Sequence, residues 1–436
     1  MPGANDDRRV PGPDPTGRRR RLGLFDVMCI GVNAIVGSGV FALPDDMQRA
    51  MGGLSPFAYV LCALLLMPVA LCFAELAGRH DETGAAYIYA RNAFGPAIGF
   101  TVGWYCWVAT FVSWAANTTL LVELVGLPFP TNKMVVVALT IALGAVNYVG
   151  IKPGAWIVNA VVVGKLGAIL CFVAVAALAM TPGRLGGTLP HGIAGVGQGI
   201  YLALFPLQGF EVAPVAAGET ANPRRSVPIA TLGSLLFSAV LFVVVQAVLV
   251  GSYSELGAVS EHPLLDAARH LGPALGLVVL VGSLVSMGGF TAGSALGAPR
   301  YAEAIASNGL LPTALSRRHP RFETPHVAIV VTTAITAALG ALFDYRRLVG
   351  MSNITIVVQY FFTCLAVPVL RRRDGAGARA SGFRVPGGAV LPLLGAVGSI
   401  TFLAGVDRVE VAFGVVALLV GGVVAVGSRR AASGIT

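Results

Sequence analysis

"GVNAIVGSGVFALP", residues 31–44, lies in an apolar stretch long enough to cross a bilayer, yet it carries Gly31, Gly37, Gly39 and Pro44, with Asn33 and Ser38 between them. Glycine and proline are poor helix formers, and hydrocarbon offers no water to a freed backbone amide. A second stretch, "GIYLALFPLQGFEVAPVAAGE" at 199–219, has the same character, with Pro206, Gly209 and Pro214 as the interruptions and Gln208 and Glu211 beside them. The first break falls in the first apolar segment and the second in the sixth, so the two halves must have opposite orientations. Paired interruptions at matching places predict inverted repeats with a binding site near the membrane midplane. For either stretch alone, a packing kink is the plain alternative.

Of 436 residues 56% are hydrophobic and only 12% charged, with a mean hydropathy of +0.78. Apolar runs of about 20 residues, each long enough to span a bilayer, recur from residue 22 to residue 427. The predicted fold class is an all-α polytopic membrane protein with about twelve transmembrane helices. They fall near 23–50, 54–78, 94–125, 133–149, 155–180, 194–218, 228–252, 271–304, 327–343, 348–370, 389–406 and 409–427. The expected organisation is a disordered cytoplasmic N-terminus (1–21), a first five-helix repeat (22–180), a second, inverted repeat (194–370), helices 11 and 12 (385–427) and a cytoplasmic tail (428–436). Residues 1–21 lack the apolar core and cleavage site of a signal peptide.

With the N-terminus cytoplasmic, the inner segments hold 22 of the 30 Lys and Arg residues, the outer segments seven, and Lys165 lies within a span. This bias predicts a multi-pass protein of the cell membrane with both termini inside. The net charge of +9 is then accounted for by orientation and anionic lipid, and the "RRRR" at 18–21 has no nucleic-acid-binding context. Cys29, Cys62, Cys72, Cys106, Cys171 and Cys364 all lie within spans without metal-ligand spacing and read as packing residues. The sequons at Asn117 and Asn353 are intramembrane and read as chance matches. No metal site, cofactor motif or enzyme signature is apparent.

Unwinding a few residues frees N–H and C=O groups that a ligand can satisfy. The half-helix beginning after Gly39 aims its amides at the gap, which suits a carboxylate. The carbonyls of the half-helix ending near Phe205 suit an ammonium. An α-amino acid carries both groups at a fixed spacing.

The same residues resemble a known family. "GVNAIVGSGVFALP" is similar to the first-span signature of the amino acid–polyamine–organocation (APC) superfamily. "FPLQGFEVAPVAAGETANPRRSVPIAT" (205–231), "PRYAEAIASNGLLP" (299–312) and "QYFFTCLAVPVLRRR" (359–373) resemble its later motifs in the right order. By eye the chain looks most like the basic amino acid/polyamine antiporter branch, including arginine–agmatine exchangers. The resemblance implies a LeuT-type 5+5 inverted-repeat fold plus two extra helices, and secondary transport of amino acids or amines. It implies that Ser38, Gly39 and Val40 receive the substrate carboxylate, with Ala34 and Ile35 just before the break. Phe205 takes the place of an aromatic that covers the substrate, and the carbonyls of Phe205, Pro206 and Leu207, beside Gln208, face the ammonium. Pro206, lacking an N–H, is expected to hold the segment unwound. Cys106, Ala109, Thr110 and Trp114 take the places that line the side-chain pocket. Trp114 stands where the arginine exchangers have a polar amide, which speaks against a cationic substrate. Packing or interfacial anchoring is the plain alternative for Trp104, Trp107 and Trp114, and the preferred one for Trp104.

Ionisable residues inside a membrane are costly and functional by default. Lys165 resembles the span-5 lysine that, in proton-coupled members, occupies the place of a sodium ion against span 1. It is a proton carrier, a fixed cation tied to backbone carbonyls, or simply a snorkelling side chain, and its presence argues against sodium coupling through Ser283, Ser286, Thr291 and Ser294. The resemblance implies that Glu211 is a gate or protonation site, the alternative being a carboxylate hydrogen-bonded to polar groups of spans 1 or 7. Glu75 and Glu219 read as salt-bridged or hydrated, Glu123 as solvated, and Asp26 as a partner for a loop arginine. Gly289, Gly293 and Gly297 suggest close helix packing.

The expected function is alternating-access transport of mostly neutral amino acids, by proton symport or exchange. An antiporter of cationic amino acids or polyamines is the second reading, and a transport-fold sensor or partner-dependent subunit a remote third. The expected partners are an amino acid or amine, protons and membrane lipid, with room for a homodimer and none for nucleic acid.

Overall fold

The computed structural model describes residues 22–79, 85–150, 155–258, 260–374 and 383–433. The N-terminal segment 1–21 and the side chain of Glu219 lie outside the described residues. The helices are α1 (Leu24–Ile35), α2 (Gly39–Ala42), α3 (Pro44–Met51), α4 (Pro56–Ala77), α5 (Ala86–Phe94), α6 (Pro96–Glu123), α7 (Thr131–Val149), α8 (Ala155–Leu178), α9 (Gly192–Leu207), α10 (Pro223–Ser252), α11 (Pro263–Leu271), α12 (Pro273–Ser307), α13 (His326–Leu342), α14 (Tyr345–Asp374), α15 (Val390–Thr401) and α16 (Arg408–Ser433). Among the described residues nine helices are long and apolar enough to cross a membrane, and three shorter apolar segments accompany them. Together these account for the twelve expected spans.

The element order runs twice. A broken helix (α1, then α2 and α3) is followed by long α4, short α5, and long α6, α7 and α8. A second broken helix, α9 and a 3-10 segment at Phe210–Glu219, is followed by long α10, short α11, then α12, α13 and α14. The nine-residue helices α5 and α11 were not expected, because each is too short to register as a span.

Connections alternate between two faces. On one, Ala221 N–H donates to the Leu22 carbonyl (3.0 Å) and the Thr324 hydroxyl to the Tyr148 carbonyl (2.8 Å). On the other, Gly186 N–H donates to Gly53 (3.1 Å) and Thr181 N–H to Gly251 (2.9 Å). Helix α6 is the central post, with 78% of its apolar window buried, and it packs against α12, α13 and α14. Only 17% of the α16 window is buried, so that helix meets hydrocarbon.

Lipid tails are as apolar as leucine, so helices associate through close fit and hydrogen bonds. The stripe on α12 follows this rule only in part: a Cβ on Gly289 would strike Val161, whereas Gly297 faces open space. Cys171 is exposed, unlike the packed cysteine expected there. Pro206 lies inside the last turn of α9, which continues to Leu207, so the proline does not itself unwind the chain. The unwinding starts at Gln208, which is extended, and Gly209, at φ +118°, a conformation side chains rarely adopt.

That glycine is also a contact. A Cβ on Gly209 would lie 2.5 Å from the Ala34 carbonyl oxygen, and one on Gly39 would lie 2.6 Å from Pro206 Cγ. The two breaks therefore touch through their glycines. Gly209→Ala combines overpacking with a strained φ, each worth about 1–3 kcal/mol. The thermal unfolding midpoint of the purified protein should fall clearly, and an unchanged midpoint would refute the contact.

Candidate functional site

Helix α1 ends at Ile35, and Val36, Gly37 and Ser38 are unwound before α2 begins at Gly39. Each freed group can be followed. Ser38 N–H donates to Asn117 Oδ1 of α6 at 2.9 Å. That amide, expected to face a carboxylate, is thus already engaged. The Gly39 and Val40 amides open α2 with no acceptor among the described residues. On the carbonyl side, Lys165 Nζ donates to Val36 O (2.6 Å), Asn33 O (3.2 Å) and Asn33 Oδ1 (2.9 Å). The Ser286 hydroxyl of α12 donates to Val36 O at 3.0 Å. Lys165, fully buried, thus stands against the first broken helix as the resemblance implied. Ser283 and Thr291 instead donate to carbonyls of their own helix.

In the second break Gln208 N–H closes α9 on Leu204 O at 2.9 Å, and Gly209 N–H donates to Glu211 Oε2 at 2.9 Å. Among the described residues nothing donates to the carbonyls of Phe205, Pro206 and Leu207 from beyond the helix. The other Glu211 contact is the Tyr360 hydroxyl, which donates to it at 3.0 Å, and no cation pairs with this buried carboxylate among the described residues. The segment that carries the bare amides thus packs, at Gly39, directly on Pro206 of the segment that carries the bare carbonyls.

A polar chain joins the breaks through α6 and α14. Asn117 Nδ2 donates to Ser113 O (2.9 Å), Ser113 and Ser352 share a hydroxyl contact (2.7 Å), and Gln208 Nε2 donates to Ser352 Oγ (3.2 Å). Gln208 Oε1 is buried with no partner among the described residues. Cys106 Sγ reaches Gln359 Oε1 at 2.9 Å, and Thr110 donates to the Cys106 carbonyl. Cys106, Thr110, Ser113 and Asn117 thus form one helical stripe, with Ala109 and Trp114 buried beside it. The Trp114 indole N–H has no partner among the described residues. Trp104 and Trp107 are packing residues, donating to the Ala417 carbonyl and the Thr332 hydroxyl. Asn117, Ser113, Ser352 and Tyr345 were missed. Asn117 had drawn notice only as a chance sequon, although its spacing of seven and eleven residues from Thr110 and Cys106 places it on their face.

The two faces are closed differently. Toward the N-terminal end of α1, Phe73 meets Tyr89, Phe210 and Tyr360 edge-on at 5.9–6.2 Å. Beyond them the fully buried Glu75 accepts from Arg371, from Arg79 at 2.7 Å and from Val385 N–H at 2.8 Å. Glu75 is therefore salt-bridged, and Asp26 accepts from Asn159 Nδ2 at 2.8 Å. Toward the opposite face lies a cavity of about 860 Å³, walled by α3, α6, α9 and the first turn of α14, with Tyr345, Leu43, Leu120 and Leu202 among its lining and Glu123 within it. Its rim carries the pairs Arg346–Asp46 (2.9 Å) and Arg347–Asp407 (2.6 Å). The Glu410 amide and the Arg347 guanidinium hold the Asp407 carboxyl below its usual range.

The chain as a whole is similar to known transport proteins. The family model described as "Amino acid permease" matches residues 22–428. A branched-chain amino acid permease of Bacillus subtilis (strain 168) is 28% identical, covering 92% of this chain and 91% of its own. An uncharacterized transporter of Mycobacterium tuberculosis (strain ATCC 25618 / H37Rv) is 32% identical over 95% of this chain and 92% of its own. A branched-chain amino acid permease of Lactococcus lactis subsp. cremoris (strain MG1363) is 27% identical over 88% of both.

The Glu75 cluster can be tested apart from any ligand. Arg371→Ala leaves the buried carboxylate with Arg79 and the Val385 amide. The expected loss is about 2–3 kcal/mol, less than the 3–5 of a buried charge stripped of every partner. Thermal unfolding should show a lower midpoint, and wild-type behaviour would contradict the clamp.

Proposed function

Because the chain belongs to the amino acid permease family of the APC superfamily, we propose that it transports neutral amino acids by alternating access, with proton coupling through Lys165. The observation that carries this reading is the pairing of the bare Gly39 and Val40 amides with the bare carbonyls of Phe205, Pro206 and Leu207. A zwitterionic α-amino acid satisfies both sets at once, and the low-dielectric site makes each charge-assisted bond strong. Ala34 and Ile35 border the carboxylate end. Ala109, Thr110, Trp114 and Gln208 surround the side chain. The face carrying Glu75 is cytoplasmic and the 860 Å³ cavity is the outer entrance. Residues 22–180 and 194–370 act as inverted repeats, with α15 and α16 outside them. The names of the relatives support branched-chain substrates.

Lys165 suits coupling by position. Its ammonium holds the carbonyls of Asn33 and Val36, so loss of its proton loosens α1 from α8. Glu211 sits below the second break, where a proton exchanged with the cytoplasmic side changes its grip on Gly209 N–H and Tyr360. The same buried carboxylate favours a second reading, in which Glu211 receives a cationic side chain.

The test is uptake of labelled L-leucine into proteoliposomes. An inward proton gradient should drive it, and Lys165→Ala should abolish that dependence. Gradient-driven uptake that survives the substitution removes Lys165 from coupling. Exchange of arginine or putrescine in place of leucine would establish the second reading.

A further inference from the structure

The floor of the outer cavity raises a question the transport reading leaves open. Tyr345, on the first turn of α14, is only 5% exposed although it lines that cavity. Its hydroxyl donates to Ser38 Oγ at 3.2 Å, and its ring meets Phe205 edge-on with centroids 6.2 Å apart. One side chain therefore touches the unwound residue of the first break and the aromatic flank of the second. It stands between the cavity and the bare amides of Gly39 and Val40.

The neighbouring residues hold the same turn to the rim. Arg346 pairs with Asp46 of α3 at 2.9 Å and donates to the Ser260 carbonyl at 3.2 Å, and Arg347 pairs with Asp407 at 2.6 Å. These pairs are partly exposed, where an ion pair is worth about 0–1 kcal/mol. The rim therefore holds the turn weakly, and the buried contact on Ser38 is the one a ligand must replace.

We propose that Tyr345 is a carboxylate-displaced gate: its hydroxyl occupies the carboxylate position at Ser38 until an entering amino acid replaces it. This rests on the reading of the Gly39 and Val40 amides as the carboxylate cradle, with the Ser38 hydroxyl beside them. Displacement exchanges a neutral O–H···O bond for charge-assisted bonds, which are roughly twice as strong. A carboxylate can therefore open the gate, and an amine without one gains nothing by doing so.

The test compares binding of L-leucine with that of 3-methylbutylamine, the same molecule without its carboxylate, to purified full-length wild type and Tyr345→Phe. The variant keeps the ring contact with Phe205 and removes the competitor. Leucine should bind about 3- to 10-fold more tightly to it, the worth of one hydrogen bond, while the amine is unchanged. Tyr345→Leu, which lacks the hydroxyl and the ring, must move leucine affinity in the same direction. Unchanged or weaker leucine binding overturns the proposal, and so does equal tightening of both probes, which would mean a loosened turn. A wild type that neither binds nor transports leucine fails earlier, at the transport reading itself. Normal wild-type binding with either adverse result in the variants removes the gate alone.

Discussion

Hydrocarbon supplies no hydrogen bonds, so a helix broken inside a membrane must find a partner for every backbone group it frees. This constraint arranges the centre of the protein. Asn117 answers the Ser38 amide, Lys165 and Ser286 answer the Val36 carbonyl, and Glu211 answers the Gly209 amide. The partners come from α6, α8, α12 and the segment after the second break. The groups without such partners among the described residues lie on the two segments that touch at Gly39 and Pro206. This is a place made of backbone, where the fixed polarity of peptide groups at helix ends sets amides on one break and carbonyls on the other.

The breaks are also bound to each other. Gly39 packs on Pro206 and Gly209 on the Ala34 carbonyl, contacts no side chain would permit. Neither broken helix can shift without meeting the other. Lys165 and Ser286 hold the same turn of α1 from α8 and α12. Under the proposed function, a proton at Lys165 and a ligand at Gly39 would act on one short stretch of backbone from opposite sides. The two faces differ in kind. Glu75 and Arg371 form a buried, multiply bonded clamp, whereas the Arg346 and Arg347 pairs are half-exposed and screened by water and salt.

Hydropathy and glycine content alone made twelve apolar segments and two broken ones legible, because a bilayer sets helix length and an apolar run has nowhere else to go. Lys165 was legible for the same reason, since a lone cation amid valines stands out. The limits of that reading are equally physical. Helices α5 and α11 escaped because nine residues carry no span-length signal. Pro206 was expected to unwind the chain, but α9 runs through it. The proline forgoes the bond its N–H would have given to the carbonyl four residues before it, yet the helix runs on for one more residue, and the positive φ at Gly209 marks the actual departure.

By itself, then, the sequence determined which segments cross the membrane, where two of them must unwind, and which lysine lies buried among them. Each of these is a local property of composition along the chain. Only the tertiary structure decided that the Ser38 amide belongs to Asn117, that Gln208 reaches Ser352, and that Tyr345 covers the break. Those contacts join residues 79, 144 and 307 positions apart, and they depend on how α6, α9 and α14 are rotated against α1. Helix rotation is fixed by the packing of all neighbours together, so no single stretch of the chain carries it.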